Sequence, residues 1–437
     1  MFGRLLGLRL CYVKGIVMFV GYKGKQILFV STSELLPSSE YDMLEWDFSS
    51  DIRPCDVIKN YEVWRNTVIE KTAVKPYSQL RIALVGVYRI QCGISTYAER
   101  LFPRIAEQVE EYKIFAEIAE DVPEEENVIR CWNRGEPLTE LINNIKDFDP
   151  DIVYVEHEFG IFPNARHWLS FVAQMQDYKL FVKQHSVFYH KDKLVCEAAV
   201  PDIIVHTNIG KKVLLEKGVS SNVHVIPHGC IPCTDPKRYW NMYHSQHTLV
   251  QFGFGFEYKG WEIALQAVAL LKDKFPDVFY TGLFSESKFN KILHQNYYNK
   301  LNALIKDLDI EYNVGLIRGY QTDASLDAYL KTNQIAMFPY VMNGEHTVYG
   351  ATGAARLAMT AGTPTVCSSV PQFDDVEGVC PRPSNAEELA VEIEKLFNSK
   401  EACQEQIERQ NQWLTANSWD NITKMHLDLF SGIHHQD

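Results

Sequence analysis

The chain has 437 residues, which is too long for one ordinary hydrophobic core, so we expect two domains. Hydrophobic residues make up 46% of it and charged residues 23%, as in soluble globular proteins. The net charge of −13 argues against a polyanionic partner held by bulk charge, although it does not exclude a local basic groove.

The cysteines and the hydropathy bear on location. Ten cysteines are scattered without the spacing of a disulfide framework, which favours a reducing compartment, and we expect a cytoplasmic protein. Cys230 and Cys233 form one close pair without a second pair nearby, so we interpret them as a loop feature rather than a zinc or redox site. No stretch is long and apolar enough to cross a bilayer. The basic, apolar start of the chain is compatible with peripheral membrane contact or with a short strand.

Residues 1–78 differ from the rest of the chain and are predicted to form an N-terminal, hairpin-like extension of unknown role. Two strands are expected at 16–20 and 26–31. An irregular, acidic and aromatic stretch follows at 36–54, and a helix is expected at 61–71.

From residue 80 onward, strands alternate with helices. The buried run from Arg81 to Gly86 predicts a strand of the parallel-sheet type. Ser95 is expected to cap the next helix, which Pro103 must bend or divide. Further strands are predicted at 113–118, 151–155, 179–183, 202–205 and 223–226, with helices at 138–145, 168–176 and 211–217. The alternation predicts a doubly wound α/β domain over residues 79–240.

Polar residues follow four successive strands of this domain. Glu156 and Glu158 flank a histidine after one strand, and a histidine follows each of the next three, at positions 185, 206 and 228. The carboxyl edge of an open α/β sheet is where ligands bind. We therefore expect a charged cluster around Glu156 and Glu158 at a ligand-binding edge.

The alternation restarts after a linker and predicts a second α/β domain over 241–418. Its strands are expected at 249–254, 278–284, 315–319, 335–339 and 365–366, and its helices at 261–272, 297–306, 325–331, 354–360, 387–397 and 401–414. The segment 419–437 is predicted to be a helix that returns to the N-terminal domain. The fold class is therefore α/β, with two tandem Rossmann-like doubly wound parallel-sheet domains and a cleft between them.

One stretch of the second domain, residues 335–366, has the order strand, Gly-rich loop and helix start. Such a joint binds phosphate, because free backbone N–H groups point out of the helix start and small residues let an anion approach. Glycines at such joints also serve to turn the chain alone, and the pattern by itself does not separate the two.

Several short motifs, correctly ordered on the predicted strands, resemble one known family. They are GISTY, VEHEFGIF, KQHS, VIPHG, YKG and AGTPTV. Together, over residues from about 80 to about 429, they resemble a GT-B fold glycosyltransferase of family 4 (group 1). The resemblance implies retaining transfer of a sugar from a UDP- or GDP-linked donor, with 79–240 on the acceptor side and 241–418 holding the donor. It implies no metal and no cofactor, since the nucleotide-sugar is a co-substrate.

The resemblance implies a donor-diphosphate site in the second domain. Lys259 matches the family lysine that contacts the diphosphate, although it is also readable as a solvated lysine at a helix start. The arginine that often accompanies this lysine is replaced here by Phe254. Thr352 offers a hydroxyl, and Gly353 and Ala354 offer backbone N–H groups at the helix start.

Ribose recognition must differ from the family pattern. Two family glutamates fall on Tyr349 and Leu357, so both carboxylates are absent. Glu345 would substitute for one of them only through a loop shift. Gly255 and Gly229 match glycines near the donor and complete the expected donor site.

Three residues of the first domain are implied to be catalytic. Gly93 lets the chain approach the transferring sugar and phosphate, because it has no side chain. His185 is expected beside the reacting carbon, with an ordinary buried histidine as the alternative. Glu158 is a candidate for orienting the acceptor, with a helix cap as the alternative. The leaving phosphate itself can act as base, so we assign no nucleophile.

The sequence also contains one pattern that is typical of metal-dependent glycosyltransferases. Asp147 and Asp149 form a DxD pattern, but they lie at a helix-to-strand turn before Pro150, so no metal site is predicted.

The acceptor is expected to be a glycan, a lipid-linked sugar or a small molecule. One alternative is a phage-type glycosyltransferase that modifies hydroxymethylated DNA bases through a local lysine-lined groove. Another is a non-catalytic nucleotide-sugar binding protein of the same fold.

Overall fold

A computed structural model describes the strands within residues 8–32 and residues 75–189, 200–219, 221–236, 247–286 and 291–432. The chain divides into two compact units, one of Met1–Ile226 with Ile422–Asp437 and one of Pro227–Asn421. Each contains a parallel sheet flanked by helices, which confirms the predicted α/β class.

The chain start forms a three-stranded antiparallel sheet with the order β1–β2–β3. Its strands are β1 (Leu8–Val13), β2 (Ile16–Lys23) and β3 (Gln26–Thr32). The two predicted strands correspond to β2 and β3, and the short strand considered for the chain start is β1. The irregular stretch at 36–54 and the helix expected at 61–71 lie outside the described residues.

The sheet of the first unit has seven parallel strands in the order β10–β9–β8–β7–β4–β5–β6. These strands are β4 (Arg81–Gly86), β5 (Glu111–Glu117), β6 (Val128–Trp132), β7 (Ile152–His157), β8 (Lys179–Gln184), β9 (Asp202–Val205) and β10 (Asn222–Val225). The strand order reverses between β4 and β7, the kind of position where open α/β sheets bind ligands.

The helices of the first unit are α1 (Gly93–Ala106), α2 (Thr139–Phe148), α3 (Ala165–Gln174) and α4 (Asn208–Glu216). The start of α1 differs from the prediction. Cys92, not Ser95, is the N-cap, because the Ser95 hydroxyl accepts from the N–H of Ile90 and donates to Glu99. Pro103 lies inside α1 without dividing it, since the buried face of the helix offsets the lost hydrogen bond.

The sheet of the second unit has five parallel strands in the order β13–β12–β11–β14–β15. They are β11 (Thr248–Phe254), β12 (Phe279–Ser285), β13 (Val314–Arg318), β14 (Ile335–Phe338) and β15 (Thr365–Cys367). The helices are α5 (Trp261–Leu271), α6 (Lys291–Asp307), α7 (Asp323–Thr332), α8 (Gly353–Thr360), α9 (Ala386–Asn398) and α10 (Lys400–Ala416).

The strands of the second unit bury both faces. Leu249 and Ile335 pack in one hydrophobic cluster, while their chain neighbours Val250 and Ala336 pack in another. Successive side chains of a strand point to opposite faces, so each face needs its own layer of helices. The continuous apolar runs that predicted these strands follow from this double coverage.

The last helix, α11 (Trp419–Phe430), supplies side chains to the first unit from Ile422 onward. The His426 ring packs against Tyr154 with centroids 5.5 Å apart, and Phe430 packs on Phe181 at 5.0 Å. The ammonium of Lys179 donates to the Phe430 carbonyl at 2.9 Å. The C-terminal helix therefore completes the core beside β7 and β8.

Candidate active site

In the first unit, His185 lies directly after β8 and is held by a buried carboxylate. Its Nε2 donates to Oε2 of Glu156 at the end of β7, whose side chain is fully buried. Its backbone N–H donates to the His157 carbonyl at 3.1 Å. Adjacent parallel strands thus bring two residues 29 positions apart into one hydrogen bond.

A second histidine and a tyrosine complete the surroundings of the His185 ring. Nε2 of His206, just after β9, lies 3.3 Å from Nδ1 of His185. The Tyr97 ring of α1 meets His185 edge to face, with centroids 4.9 Å apart. Both nitrogens of His185 therefore face protein groups.

The same cluster contains a buried cation and a buried tyrosine. Lys183 pairs in register with Glu156 across β8 and β7, is fully buried, and donates from Nζ to the Ile226 carbonyl at 2.7 Å. The Tyr154 hydroxyl donates to Oε1 of Glu156 at 2.7 Å. Burial raises the pKa of Tyr154, and the Glu156 charge raises it further, so this hydroxyl keeps its proton.

The charged cluster expected around Glu156 and Glu158 is divided in the structure. Glu156 is still inside β7 and points into the protein. His157 points to the other side of the sheet, where its ring packs on Phe162 and Trp168 at centroid distances of 5.5 and 4.4 Å. Glu158 follows the strand and is partly exposed. The division follows from the alternation of side chains along a strand, because β7 extends to His157.

Gly93 is the first residue of α1 and is exposed. A Cβ at this position would meet no atom within 4 Å. Tyr97 lies one helical turn further on, on the same face, and contacts His185. The open space above Gly93 therefore lies along the helix face that reaches His185.

In the second unit, Lys259 ends a short 3-10 turn after β11. Its Nζ donates to the Tyr340 hydroxyl at 2.7 Å and lies 4.0 Å from the centre of that ring. The Tyr258 ring also faces the ammonium, at 4.9 Å. The Lys259 side chain is half-buried, and burial lowers its pKa, with the neighbouring Tyr258 acting in the opposite direction.

The backbone around Lys259 is fixed on two sides. Its carbonyl accepts from the side chain of Gln251, a fully buried residue of β11, at 2.9 Å. The N–H of Val341 donates to the Tyr258 carbonyl at 2.9 Å. Gly260 follows with φ +68°, and a Cβ there would lie 1.7 Å from the Pro339 carbonyl oxygen. The turn can lie against the segment after β14 only because residue 260 has no side chain.

Tyr340 also connects Lys259 to the helix start that the sequence singled out. Burial raises the pKa of Tyr340, and a hydrogen bond with the Thr352 side chain acts in the opposite direction. Thr352 is the N-cap of α8, with its hydroxyl accepting from the Ala354 N–H at 3.4 Å. The structure thus brings Lys259, Thr352 and the start of α8 together, and the N–H of Ala354, which was expected to face a phosphate, caps the helix by donating to Thr352 instead.

A buried arginine supports this helix start from within. Arg356 donates to the Thr352 carbonyl at 2.6 Å and forms an ion pair with Asp375. The His228 ring lies on another side, since a Cβ at Gly353 would be 3.8 Å from its Nε2. His228 Nδ1 donates to the Gly229 carbonyl at 2.6 Å, so Nε2 is directed away from that bond.

Two expected donor-site glycines have clear packing reasons. A Cβ at Gly255 would lie 1.9 Å from Cζ of Phe284, and its N–H already donates to the Ser285 carbonyl at 2.9 Å. That N–H is therefore not available to a ligand. A Cβ at Gly229 would lie 2.3 Å from Cε3 of Trp419, so this glycine admits the indole ring.

The positions that bear on ribose recognition are exposed or half-exposed. Glu345 lies in an exposed short turn after Gly344, whose φ is +52°. Leu357 on α8 is 46% exposed, although it is apolar, and Tyr349 is half-buried. The side chains at 349 and 357 offer no carboxylate to a ribose.

Tyr340, Tyr97 and the contact between His185 and Glu156 were not predicted from the sequence. Tyr340 lies two residues after the end of β14, so the rule that ligand groups follow strand ends could have identified it. Tyr97 occurs in the GISTY motif, whose predicted role rests on Gly93 alone. Both tyrosines make their contacts across elements that are distant in the chain.

The DxD pattern at Asp147 and Asp149 lies at the end of helix α2. Asp149 ends α2 in a left-handed conformation, and Arg81 donates to the carbonyls of Phe148 and Asp149, so the DxD pattern lies in a helix-ending turn. Among the described residues, no three His, Cys, Asp or Glu side chains come together as metal ligands.

Cys230 is buried with its thiol donating to the Asn417 carbonyl, and burial raises its pKa to about 12. Within the same residues, no helix combines the length and apolar character needed to cross a bilayer.

Comparisons with known proteins agree with this architecture. Residues 237–413 match the family model described as glycosyl transferases group 1. Sucrose-phosphate synthase from Thermosynechococcus elongatus is similar with a TM-score of 0.63 and 16% identity, covering 81% of this chain and 99% of that one. HepE of Anabaena in complex with UDP is similar with a TM-score of 0.62 and 14% identity, covering 81% and 100%.

A third solved structure, of trehalose-6-phosphate synthase studied for glycosyltransfer with retention, has a TM-score of 0.62 and 10% identity, covering 82% and 100%. No curated protein sequence matches the chain significantly. At these identities the structures show the fold alone, and the family model adds the assignment of the second unit. The chain therefore has the GT-B fold of these solved glycosyltransferases, and its residues 237–413 match the model of the glycosyl transferases group 1 family.

Proposed function

We propose that the chain transfers a sugar from a UDP- or GDP-linked donor to a hydroxyl acceptor, with retention and without a metal ion, as in family 4. The observation that carries this proposal is the meeting of Lys259, Tyr340 and Thr352 at the start of α8. We place the activity in the cytoplasm, and the free thiols of all seven cysteines whose side chains are described support that location.

The chemistry of the cluster suits a diphosphate. An ammonium, a threonine hydroxyl and the N–H of a first helical residue, here Gly353, are donors to phosphate oxygens, whereas the N–H of Ala354 already donates to the Thr352 hydroxyl. Within the described part of the chain, no carboxylate forms an ion pair with Lys259. A bound diphosphate would supply the negative charge that this half-buried ammonium does not receive from the protein.

In the first unit, His185, Gly93 and Glu158 remain the proposed catalytic residues. The open space at Gly93 gives the sugar and phosphate room beside the α1 start. The leaving phosphate would take the acceptor proton, so the reaction needs no protein nucleophile. Glu158 follows β7, is partly exposed, and would orient the acceptor hydroxyl.

A second candidate function is non-catalytic binding of a nucleotide-sugar. The absence of a carboxylate at positions 349 and 357 favours it, because the donor ribose loses two expected contacts. Turnover separates the candidates. Release of UDP from UDP-glucose in the presence of glycan, lipid-linked or small-molecule acceptors supports transfer, whereas binding without release across the panel supports the binding protein. Salt-dependent binding to hydroxymethylated DNA would instead support the nucleic-acid acceptor.

A thermal-shift panel of UDP- and GDP-sugars tests the donor site. A ligand that binds only the folded state raises the melting temperature, and Lys259→Ala is expected to abolish that rise. Lys274→Ala is the matched control, because Lys274 lies in the same unit and pairs with Glu394 on the surface. A shift of the same size in Lys259→Ala and wild-type protein would contradict the diphosphate assignment.

A further inference from the structure

Glu156 is a buried group that the proposed transfer reaction does not yet use. Its side chain is 0% exposed, and Gly86 on the neighbouring strand β4 makes room for it, since a Cβ there would lie 3.2 Å from the Glu156 Cβ. Burying a carboxylate is costly unless it is both paired and hydrogen-bonded.

The surroundings satisfy both oxygens of this carboxylate. The Tyr154 hydroxyl donates to Oε1, and Nε2 of His185 donates to Oε2. Lys183 lies opposite Glu156 in the strand register and supplies a cation on the same face of the sheet. Behind Tyr154, His426 of α11 lies with Nε2 3.3 Å from the tyrosine oxygen and donates from Nδ1 to the Ile422 carbonyl at 2.8 Å.

These contacts determine where His185 carries its proton. An ionised carboxylate only accepts hydrogen bonds, so the nitrogen that faces Glu156 must bear the hydrogen. The other nitrogen, Nδ1, then faces Nε2 of His206. The Tyr97 ring blocks a third side. The imidazole therefore has one orientation and one donor nitrogen toward Glu156.

We propose that Glu156 is a positioning residue for the transfer reaction, which holds the His185 imidazole in one orientation with a proton on Nε2. The proposal rests on the proposed function, in which His185 lies beside the reacting sugar. Glu156 itself lies behind the histidine, inside β7, and acts only through it.

Glu156→Gln tests the proposal because it keeps the shape and removes the charge. The amide can present either its oxygen or its NH₂ group to His185, so the ring loses its fixed donor role. We expect kcat to fall about 10- to 100-fold, the size expected for a misplaced reacting group. KM for the donor should stay nearly constant, because Lys259 and Thr352 of the second unit are proposed to bind the diphosphate.

Nuclear magnetic resonance detects the proton on His185 directly. A loss of stability alone would not change this signal in the folded protein. In protein labelled with ¹⁵N-histidine, the Nε2–H resonance of His185 is assigned by its loss in His185→Gln. It should shift or disappear in Glu156→Gln. Glu117→Gln is the matched control, since Glu117 ends β5 and is held by Arg134 at 2.7 and 3.0 Å. This control should leave the His185 resonance in place.

Unchanged resonance or unchanged kcat in Glu156→Gln would overturn the proposal. If that variant does not fold, Tyr154→Phe tests the proposal in its place. It removes the hydroxyl that donates to Glu156 and keeps the charge of the carboxylate. The His185 resonance must then shift, and a constant resonance overturns the proposal in the same way. The resonance is recorded without substrate. A wild-type protein that turns over no donor therefore refutes the proposed function separately from the Glu156–His185 contact.

Discussion

The Nζ atom of Lys259 lies 2.7 Å from the hydroxyl oxygen of Tyr340, although 81 residues separate them in the chain. The side chain of Thr352, the N-cap of α8, is close enough to the same hydroxyl to act against the burial that raises the pKa of Tyr340, so this tyrosine links the turn after β11 to the start of α8. Removing the Tyr340 hydroxyl should therefore weaken the proposed diphosphate site, while the aromatic ring stays packed and leaves no cavity.

Tyr340→Phe is therefore expected to weaken UDP binding about 10- to 100-fold, because a hydrogen bond to a charged group contributes about 1.5–3 kcal/mol. Isothermal titration calorimetry measures the change. Tyr298→Phe is the control, since its hydroxyl donates to the Leu316 carbonyl in the same unit. Equal UDP affinity in Tyr340→Phe and wild-type protein would show that the hydroxyl does not support the donor site.

UDP affinity should depend on pH through Lys259. Burial lowers the pKa of this ammonium from 10.5. The protonated form is the one that attracts the diphosphate, so affinity is full below the folded-state pKa and is lost as pH rises through it. The loss should therefore begin at lower pH than for an exposed lysine. Burial raises the pKa of Tyr340, so the tyrosine keeps its proton over this range.

Lys259→Arg is the control for this pH dependence, because a guanidinium does not titrate below pH of about 12. Any ionisation of the ligand affects both proteins equally. The ratio of the two affinities, measured by calorimetry between neutral and alkaline pH, isolates the lysine. A constant ratio would mean that the ammonium does not contact the diphosphate.

Two glycines should respond oppositely to the same substitution. Gly255→Ala places a Cβ 1.9 Å from Phe284 and should cost about 1–3 kcal/mol of stability through overpacking. Gly93→Ala meets no atom within 4 Å and should leave the melting temperature unchanged or slightly higher. It should nevertheless lower kcat/KM, because the methyl group occupies space proposed for the sugar and phosphate. Full activity in Gly93→Ala would contradict that use of the space.

His426 should make stability fall in mild acid. Burial, and then the nearby Lys183, lower its pKa from 6.5 to about 3. Between these values the unfolded chain binds a proton that the folded protein does not. The contribution of His426 to the free energy of unfolding is thus complete above pH 6.5. It is lost as pH falls toward 3, by at most about 1.4 kcal/mol per pH unit.

Urea unfolding of wild-type protein and His426→Gln at about pH 7.5 to 5 measures how the free energy of unfolding depends on pH through His426. The pH of these experiments, about 5 to 7.5, brackets the unfolded-state pKa of histidine. The substitution should flatten the dependence of the unfolding free energy on pH, whatever its cost at neutral pH. Parallel curves for the two proteins would contradict a neutral, buried His426.

The alternation of strands and helices was predictable because buried parallel strands appear as local apolar runs. The sequence does not predict strand β6, since it is short and contains Arg130, whose charge interrupts the apolar pattern. The guanidinium of Arg130 is satisfied by the carbonyls of Glu117 and Tyr88, contacts that depend on the assembled sheet. A single sequence does not contain that information.

The candidate site was predicted in part. Lys259 and Thr352 could be selected because residues at strand ends and helix starts are local features. Their meeting through Tyr340 could not, because it depends on β11 lying beside β14, and strand order in a sheet is a tertiary property. The apolar run at 151–155 predicts an end of β7 two residues too early, and this groups Glu156 with Glu158. That shift in the strand end hid the contact with His185.

Gly260 shows how a residue without functional chemistry can govern this site. Its missing side chain allows the Lys259 turn and the segment after β14 to touch, with the Pro339 oxygen where a Cβ would be. A mutational scan scored only by activity would rank position 260 with the reactive residues, although it offers a ligand no side-chain group. Sensitivity at that position would report the spacing of two backbones, and a map of intolerant positions would overstate the number of residues that touch the donor.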